Sequence, residues 1–427
     1  MAGGSHVYDV FRSRRMAVLF ALGFSSGLPL FLTGQTLQAW MTTAGVDIEK
    51  IAAFASVGLA YTFKFAWAPL LDRWSPPWLG RRRGWMITTQ LALIAAIAAM
   101  GTIDPTETPG ALAVIAVVVA FLSASQDVVL DAYNADLLAP EERAAGSGVY
   151  VMGYRVAMLI SGSLALILAD HLAWRIVYAI MAALMLVGVA ATFAAEEPIA
   201  HERPRSIAAA IVVPFKDFFV RLGWKGALGA LAFAALYKFG DQFASVLQVT
   251  FYKRGLGFTL TEIGTLNKLL GFAGTVVGAA IGGALVARYG VWRMLLVFGL
   301  LQASTNLLYV WLAEVGPDRG VFATAVFIDN VANAAGTGAF VAYFMSLTSK
   351  SVSATQFALL TSLSSVGQRV FGPLAGDVQK HFGWSGFFVT TTLLALPGLA
   401  IAALMHRVSS RRRPAGSLPE TSPEAAA

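Results

Sequence analysis

Asp127 and Asp131 stand four residues apart in an otherwise apolar stretch, 111–138, long enough to cross a bilayer. That spacing puts both carboxylates on one face of a helix, and Ser123, Gln126 and Asn134 lie along or beside the same stripe. A carboxylate inside a membrane is costly, rarely idle and seldom faces lipid, so the stripe is expected to line a polar cavity. Two acids this close do not readily both ionise in a low dielectric, which suits the pair to taking up and releasing a proton. Structural pairing with Arg155 or a buried lysine, and direct contact with a ligand, are the other readings of the same residues.

Further polar groups recur inside apolar stretches. Lys238, Asp241 and Gln242 sit at i, i+3 and i+4. The first two either satisfy each other or form a substrate or proton site. Asp329, Asn330 and Asn333 are the later counterpart of the Asp127 stripe, and Lys64 and the pair Asn267-Lys268 lie in other apolar windows. Gln35, Gln38 and Trp40 follow Gly27-Leu28-Pro29, where a proline is expected to kink the helix and free carbonyls toward a cavity. Amides beside aromatics such as Trp40, Tyr61, Phe63 and Trp67 suit sugars and amide-rich ligands. Five bases (Lys64, Arg155, Lys238, Lys268, Arg369) face four acids (Asp127, Asp131, Asp241, Asp329) within these windows. If the acids are partly protonated the cavity is net positive and favours a carboxylate-bearing substrate.

The elements that hold these groups must be membrane helices. Of 427 residues 57% are hydrophobic and only 13% charged, with a mean hydropathy of +0.67; soluble domains carry nearer 25% charged residues. A net charge of +7 does not mark a nucleic-acid binder here, because the basic residues cluster in short loops between apolar windows. The absence of cysteine excludes disulfides, thiolate metal sites and cysteine catalysis. No phosphate-cradling Gly-Lys-Ser/Thr loop or other enzyme signature occurs, and no cofactor or metal is expected beyond a coupling proton. No cleavable signal peptide is apparent. Windows of roughly 20 apolar residues recur near 15–41, 48–71, 85–102, 111–138, 145–170, 173–194, 225–251, 261–287, 291–313, 320–347, 354–378 and 383–406. This predicts an all-α membrane protein of about twelve transmembrane helices in two six-helix bundles, 15–195 and 225–407. A cytoplasmic segment 1–14, a polar cytoplasmic linker 196–224 and a disordered cytoplasmic tail 408–427 complete the chain.

The halves look related. Gly153-Tyr154-Arg155-Val156 runs on to His171 and Trp174; Gly367-Gln368-Arg369-Val370 runs on to His381 and Trp384. With both termini in the cytoplasm, 20 Lys and Arg fall in cytoplasmic segments and six outside, and that bias fixes the orientation.

Two internal repeats of six helices resemble the major facilitator superfamily, with substrate near the midplane between halves. The segment from Leu70 to Gly84, with Asp72, Arg73, Arg81, Arg82 and Arg83, resembles that superfamily's loop between helices two and three, which pairs charges across helix ends and gates transport; Arg288 and Arg293 occupy the corresponding loop of the second half. The strings SGLPL (26–30), LQAWM (37–41), YTFKFAWAPLLDRW (61–74), GRRRGW (80–85), SASQD (123–127) and SATQFALL (353–360) are similar to the AmpG muropeptide permease family. The resemblance implies a proton-driven transporter of the bacterial inner membrane, expected as a monomer in the lipid bilayer. It would import N-acetylglucosamine–1,6-anhydro-N-acetylmuramic acid and its peptides for wall recycling, with a link to β-lactamase induction. A related carrier for a siderophore or an acetyl-CoA-like anion is the alternative, with a non-transporting scaffold or sensor behind it.

Overall fold

The computed structural model describes residues 13–138, 142–198, 207–348 and 353–411. Arg12, His201, Arg203, Arg205, Lys350, Arg412 and Arg413, the segment 1–12 and most of the expected tail lie outside the described residues. Water is absent from a bilayer core, so each span must satisfy its own backbone groups, and helices do this. The spans are α1 (Arg14–Thr43), α2 (48–73), α3 (Arg81–Met100), α4 (Pro109–Leu137), α5 (Ala145–Ala169), α6 (Trp174–Ala194), α7 (224–255), α8 (Leu260–Tyr289), α9 (Val291–Val315), α10 (Arg319–Leu347), α11 (353–382) and α12 (384–411). Nine helical stretches among the described residues pass a simple length and apolarity test for spanning. The count reaches twelve because Gly383, at φ 66°, divides one of them into α11 and α12. In addition α10 carries its polar stripe, and α2 is broken.

Three local features depart from the sequence expectation. The segment 48–73 alternates α-helical and 3-10 turns, and at Gly58 an added Cβ would meet Arg369 Nε at 2.8 Å, so the bend makes room for that side chain. In α1 the break falls at Gly34 (φ −116°, ψ −112°), past Pro29, with Thr33 N–H still bonded to the Pro29 carbonyl at 3.2 Å. The linker expected at 196–224 contains a helix from Ile207 that turns at Gly223 (φ 69°) into α7.

Within the first half α1 packs on α4, α5 and α6, and α3 on α4 and α6; within the second, α8 and α9 pack on α10, and α12 on α7 and α9. The α1–α5 crossing brings backbones together: a Cβ on Gly153 would lie 2.0 Å from the Phe20 carbonyl oxygen, and one on Gly23 2.1 Å from that of Tyr150. The bundles meet along two seams, α2 with α11 and α5 with α8, and α1 meets α7 at one end. These seams are equivalent under the repeat, which makes the molecule pseudo-twofold.

Candidate functional site

Between the bundles lie two cavities of about 280 and 290 Å³ that share Phe31, Gln35 and Ser245. The first is polar. Arg155 comes to it from α5, Asp241 and Gln248 from α7, Asn267 and Lys268 from α8, Asn306 and Tyr309 from α9, and Asp329, Asn330 and Asn333 from α10. The second is walled by Leu30, Ile51, Phe54 and Ala55, with Gln38, Tyr61, Gln368 and Arg369 among its polar groups. A side pocket takes Gln242 together with Lys238 and Asn333.

The charges inside the spans are unevenly matched. Lys64 pairs with Asp131 at 3.7 Å, so the cation next to the α4 stripe is Lys64 and not Arg155. Asp127 instead accepts a 2.5 Å hydrogen bond from the Ser26 hydroxyl of α1. In the second half Lys238 is buried and donates to Gln302 Oε1 (3.0 Å) and the Asn333 carbonyl (3.2 Å). Asp241 accepts from Asn306 (3.3 Å), and Asp329 from Thr305 (2.7 Å) and Tyr309 (3.0 Å). Lys268 donates to Gln35 and sits 4.2 Å over the Phe31 ring; Arg369 donates to Thr62 and lies 5.8 Å from the Tyr61 ring centre. Among the described residues no carboxylate comes within ion-pairing distance of Arg155, Lys268 or Arg369.

Several residues expected to bind substrate stand elsewhere. Lys64 lines neither cavity. Trp40 is buried against Trp174 and Tyr178, with ring centres 5.9 and 5.1 Å apart, as part of the core. Gln126 donates to Ser25 Oγ at 2.9 Å, away from both cavities, and Asn134 holds its buried Oδ1 without a partner. Of the expected gating residues, Arg82 and Arg81 reach Asp136 at 2.8 and 3.6 Å, and the backbone N–H groups of Arg82 and Arg83 donate to Glu197 at 2.8 and 2.9 Å. Arg73 and Arg293 are exposed, Arg288 lies over the Tyr289 ring, and the side chain of Asp72 lies outside the described residues. Asp136, Glu197, Ser26 and the α9 groups Gln302 and Asn306 escaped the sequence reading. Gln302 and Asn306 are four residues apart on α9, the same signal that marked α4.

The two ends of the molecule differ. At the end opposite residues 73–81 and 289–291, one continuous apolar cluster joins both halves, including Trp40, Met41 and Tyr178 with Phe251, Tyr252 and Phe388. At the other end the halves keep separate clusters. Polar contacts follow suit. Thr42 and Thr250 hydroxyls lie 2.9 Å apart, Arg254 Nη2 donates to the Thr42 carbonyl at 2.7 Å, and Gln38 donates to the Val246 carbonyl. Asp170, closing α5, accepts from the Leu260 and Thr261 N–H groups that open α8 (3.2 and 2.6 Å); Lys380, near the end of α11, pairs with Glu49 at the start of α2 (2.7 Å). Ion pairs at the opposite end, Arg15–Glu196, Arg82–Asp136 and Arg221–Asp217, stay within one half. The cavity is sealed at one end, and at the other the ion pairs among the described residues do not join its walls.

Two pseudo-symmetric bundles around a polar cavity sealed at one end define a membrane carrier. A family model of the Major Facilitator Superfamily matches residues 16–372. An anhydromuropeptide permease of Escherichia coli (strain K12) is 48% identical over 401 residues, covering 93% of this chain and 81% of that one. A transporter named AmpG 4 in Rickettsia felis is 32% identical over 94% of this chain and 99% of its own length. The chain belongs to the major facilitator superfamily and, within it, to the AmpG permease family. Solved structures share the fold: a peptide transporter POT in complex with sulfate (TM-score 0.71, 13% identity, 93% of this chain and 95% of that one) and an inward-facing bacterial homolog of the lysosomal transporter Spinster (TM-score 0.69, 16% identity, 96% and 99%).

Proposed function

We propose that the chain imports anhydro-muropeptides across the bacterial inner membrane in symport with protons, with both termini in the cytoplasm. The observation that carries this reading is how the charges of the cavity are matched: Arg155 and Lys268 line it without a carboxylate in ion-pairing distance, beside amides and aromatics, while Asp241 and Asp329 in the same wall are held by Asn306, Thr305 and Tyr309. Wall peptides bring carboxylates, and their sugars bring hydroxyls and acetamides. The 48% likeness to a protein named for anhydromuropeptide transport points the same way. The bundles are the units 15–195 and 225–407, and the end opposite the seal faces the cytoplasm. Asp127, Asp131, Asp241 and Asp329 are the candidate proton carriers, and the Arg82–Asp136–Glu197 cluster is the cytoplasmic gate of the first half.

Exchange in proteoliposomes tests the substrate. Unlabelled anhydro-disaccharide tripeptide inside the vesicles is expected to drive entry of the labelled compound, and excess ferric siderophore or acetyl-CoA is expected not to compete. Competition by either of those anions in place of the muropeptide would reassign the carrier. Orientation is tested separately. A reporter fused after Ser409 is expected to behave as cytoplasmic and one near Asp104-Pro105 as periplasmic; the reverse pattern would invert the assignment.

A further inference from the structure

We propose that the two joined cavities divide the ligand between them: Arg155 and Lys268 hold the carboxylates of the peptide stem in the first, polar one, and the second takes the sugars. This assignment rests on the muropeptide reading above. The matching of intramembrane charges leads to it. Lys64 is taken by Asp131, and Lys238 is enclosed by Gln302 and Asn333. Arg369 is engaged by Thr62 and the Tyr61 ring and lines the other cavity. Arg155 and Lys268 remain, one from each half, lining the same cavity; its two carboxylates, Asp241 and Asp329, take hydrogen bonds from Asn306, Thr305 and Tyr309 and form no ion pair with either cation.

A half-buried cation without an anion, such as Lys268, is unfavourable, and a ligand carboxylate that enters relieves this. Arg155 is exposed to the cavity, and its planar guanidinium can take a carboxylate in a two-pronged bond. Lys268 is partly occupied, by a neutral amide oxygen of Gln35 and by the Phe31 ring. A carboxylate is a stronger partner than either. Because Gln35 and Phe31 line both cavities, release of Gln35 by Lys268 frees that amide toward the second cavity. There Leu30, Ile51 and Phe54 offer apolar faces, and Gln38 and Tyr61 offer polar groups, as a pyranose ring requires. Because the two cations come from opposite bundles, a bound stem links the halves across the cavity.

The test is exchange by the purified full chain with two ligands, the anhydro-disaccharide tripeptide and the same compound with its stem carboxylates amidated. The wild-type protein is expected to prefer the acid form by roughly ten-fold, the size of a charge-assisted pair. Arg155→Gln is expected to reduce that preference to about two-fold or less, by lowering exchange of the acid form more than that of the amidated form. Arg155→Lys should restore part of it, and Lys268→Gln should act in the same direction as Arg155→Gln. Full preference retained in Arg155→Gln, or equal loss of both ligands with unchanged thermal unfolding, overturns the assignment. If Arg155→Gln does not fold, Lys268→Gln and Arg155→Lys decide by the same criterion. A wild-type protein that exchanges both ligands equally sinks this inference and leaves the muropeptide reading standing; one that exchanges neither sinks both.

Discussion

Asp127→Asn is expected to abolish accumulation of substrate against its gradient while exchange at equal concentrations survives. Asp131 shares its charge with Lys64 at 3.7 Å, whereas Asp127 has the Ser26 hydroxyl at 2.5 Å as its hydrogen-bond donor. Of the two, Asp127 is therefore the carboxyl whose proton can come and go without breaking an ion pair. Asparagine keeps the shape and the neutral charge, so the protein is expected to fold and express. One proton moved down a pH difference of two units supplies about 2.7 kcal/mol, which sustains an accumulation of about 100-fold. Loss of that coupling brings the ratio to about one, because diffusive exchange alone only equalises concentrations. Asp131→Asn should be milder on accumulation, since it leaves Asp127 in place, but it strands Lys64. Full accumulation by both single variants and by the double variant would move the proton site to Asp241 and Asp329.

The second large effect concerns the sealed end. Asp170 and Lys380 are 210 residues apart, the offset that separates His171 from His381 and Trp174 from Trp384. They occupy equivalent places in the two halves. Each stands at the end of its helix, α5 or α11, and reaches across a seam to the opening turn of a helix in the other half, Asp170 to α8 and Lys380 to α2. The two latches differ in strength. Asp170 meets backbone N–H groups at the positive end of a helix, worth up to about 1 kcal/mol at an exposed site. The Lys380–Glu49 pair is about half exposed, 53% and 43% at the side chains, and an exposed pair contributes about 0–1 kcal/mol. Asp170→Ala should therefore shift the protein toward opening at the sealed end by about five-fold, and Lys380→Ala by less. The natural chain has no cysteine, so a single cysteine at Thr250, buried where α7 meets α1 at the sealed end, reports opening directly. Its labelling by an impermeant thiol reagent from the sealed side is expected to quicken about five-fold in Asp170→Ala. Unchanged labelling would show that Asp170 does not hold the seal.

The sequence carried more of the fold than of the site. Length and apolarity set the number of spans, and the paired Arg155 and Arg369 segments exposed the repeat, because membrane helices follow local composition. The break in α2 was invisible, since it exists to admit Arg369 from 311 residues further along the chain, at Gly58. The α4 stripe was legible as a helix face, but which base meets it was not. Spacing along one helix says nothing about which neighbouring helix lies opposite, and Lys64 on α2 could not be preferred over Arg155 on α5. Trp40 illustrates the same limit: an aromatic beside amides reads as a ligand platform until Trp174 and Tyr178 are seen packed against it. Asp136 and Glu197 were missed because their role is to receive Arg82 and the first N–H groups of α3, a tertiary contact with no local signature.

The central claim is proton-driven muropeptide import, and the most direct measurement is uptake of labelled anhydro-disaccharide tripeptide into proteoliposomes under an imposed pH gradient. With the outside acidic, transient accumulation well above the external concentration is expected, collapsing to equilibrium when a protonophore is added. Uptake that only equilibrates, at the same rate with and without the gradient, would contradict proton coupling; absence of uptake under either condition would contradict muropeptide transport itself.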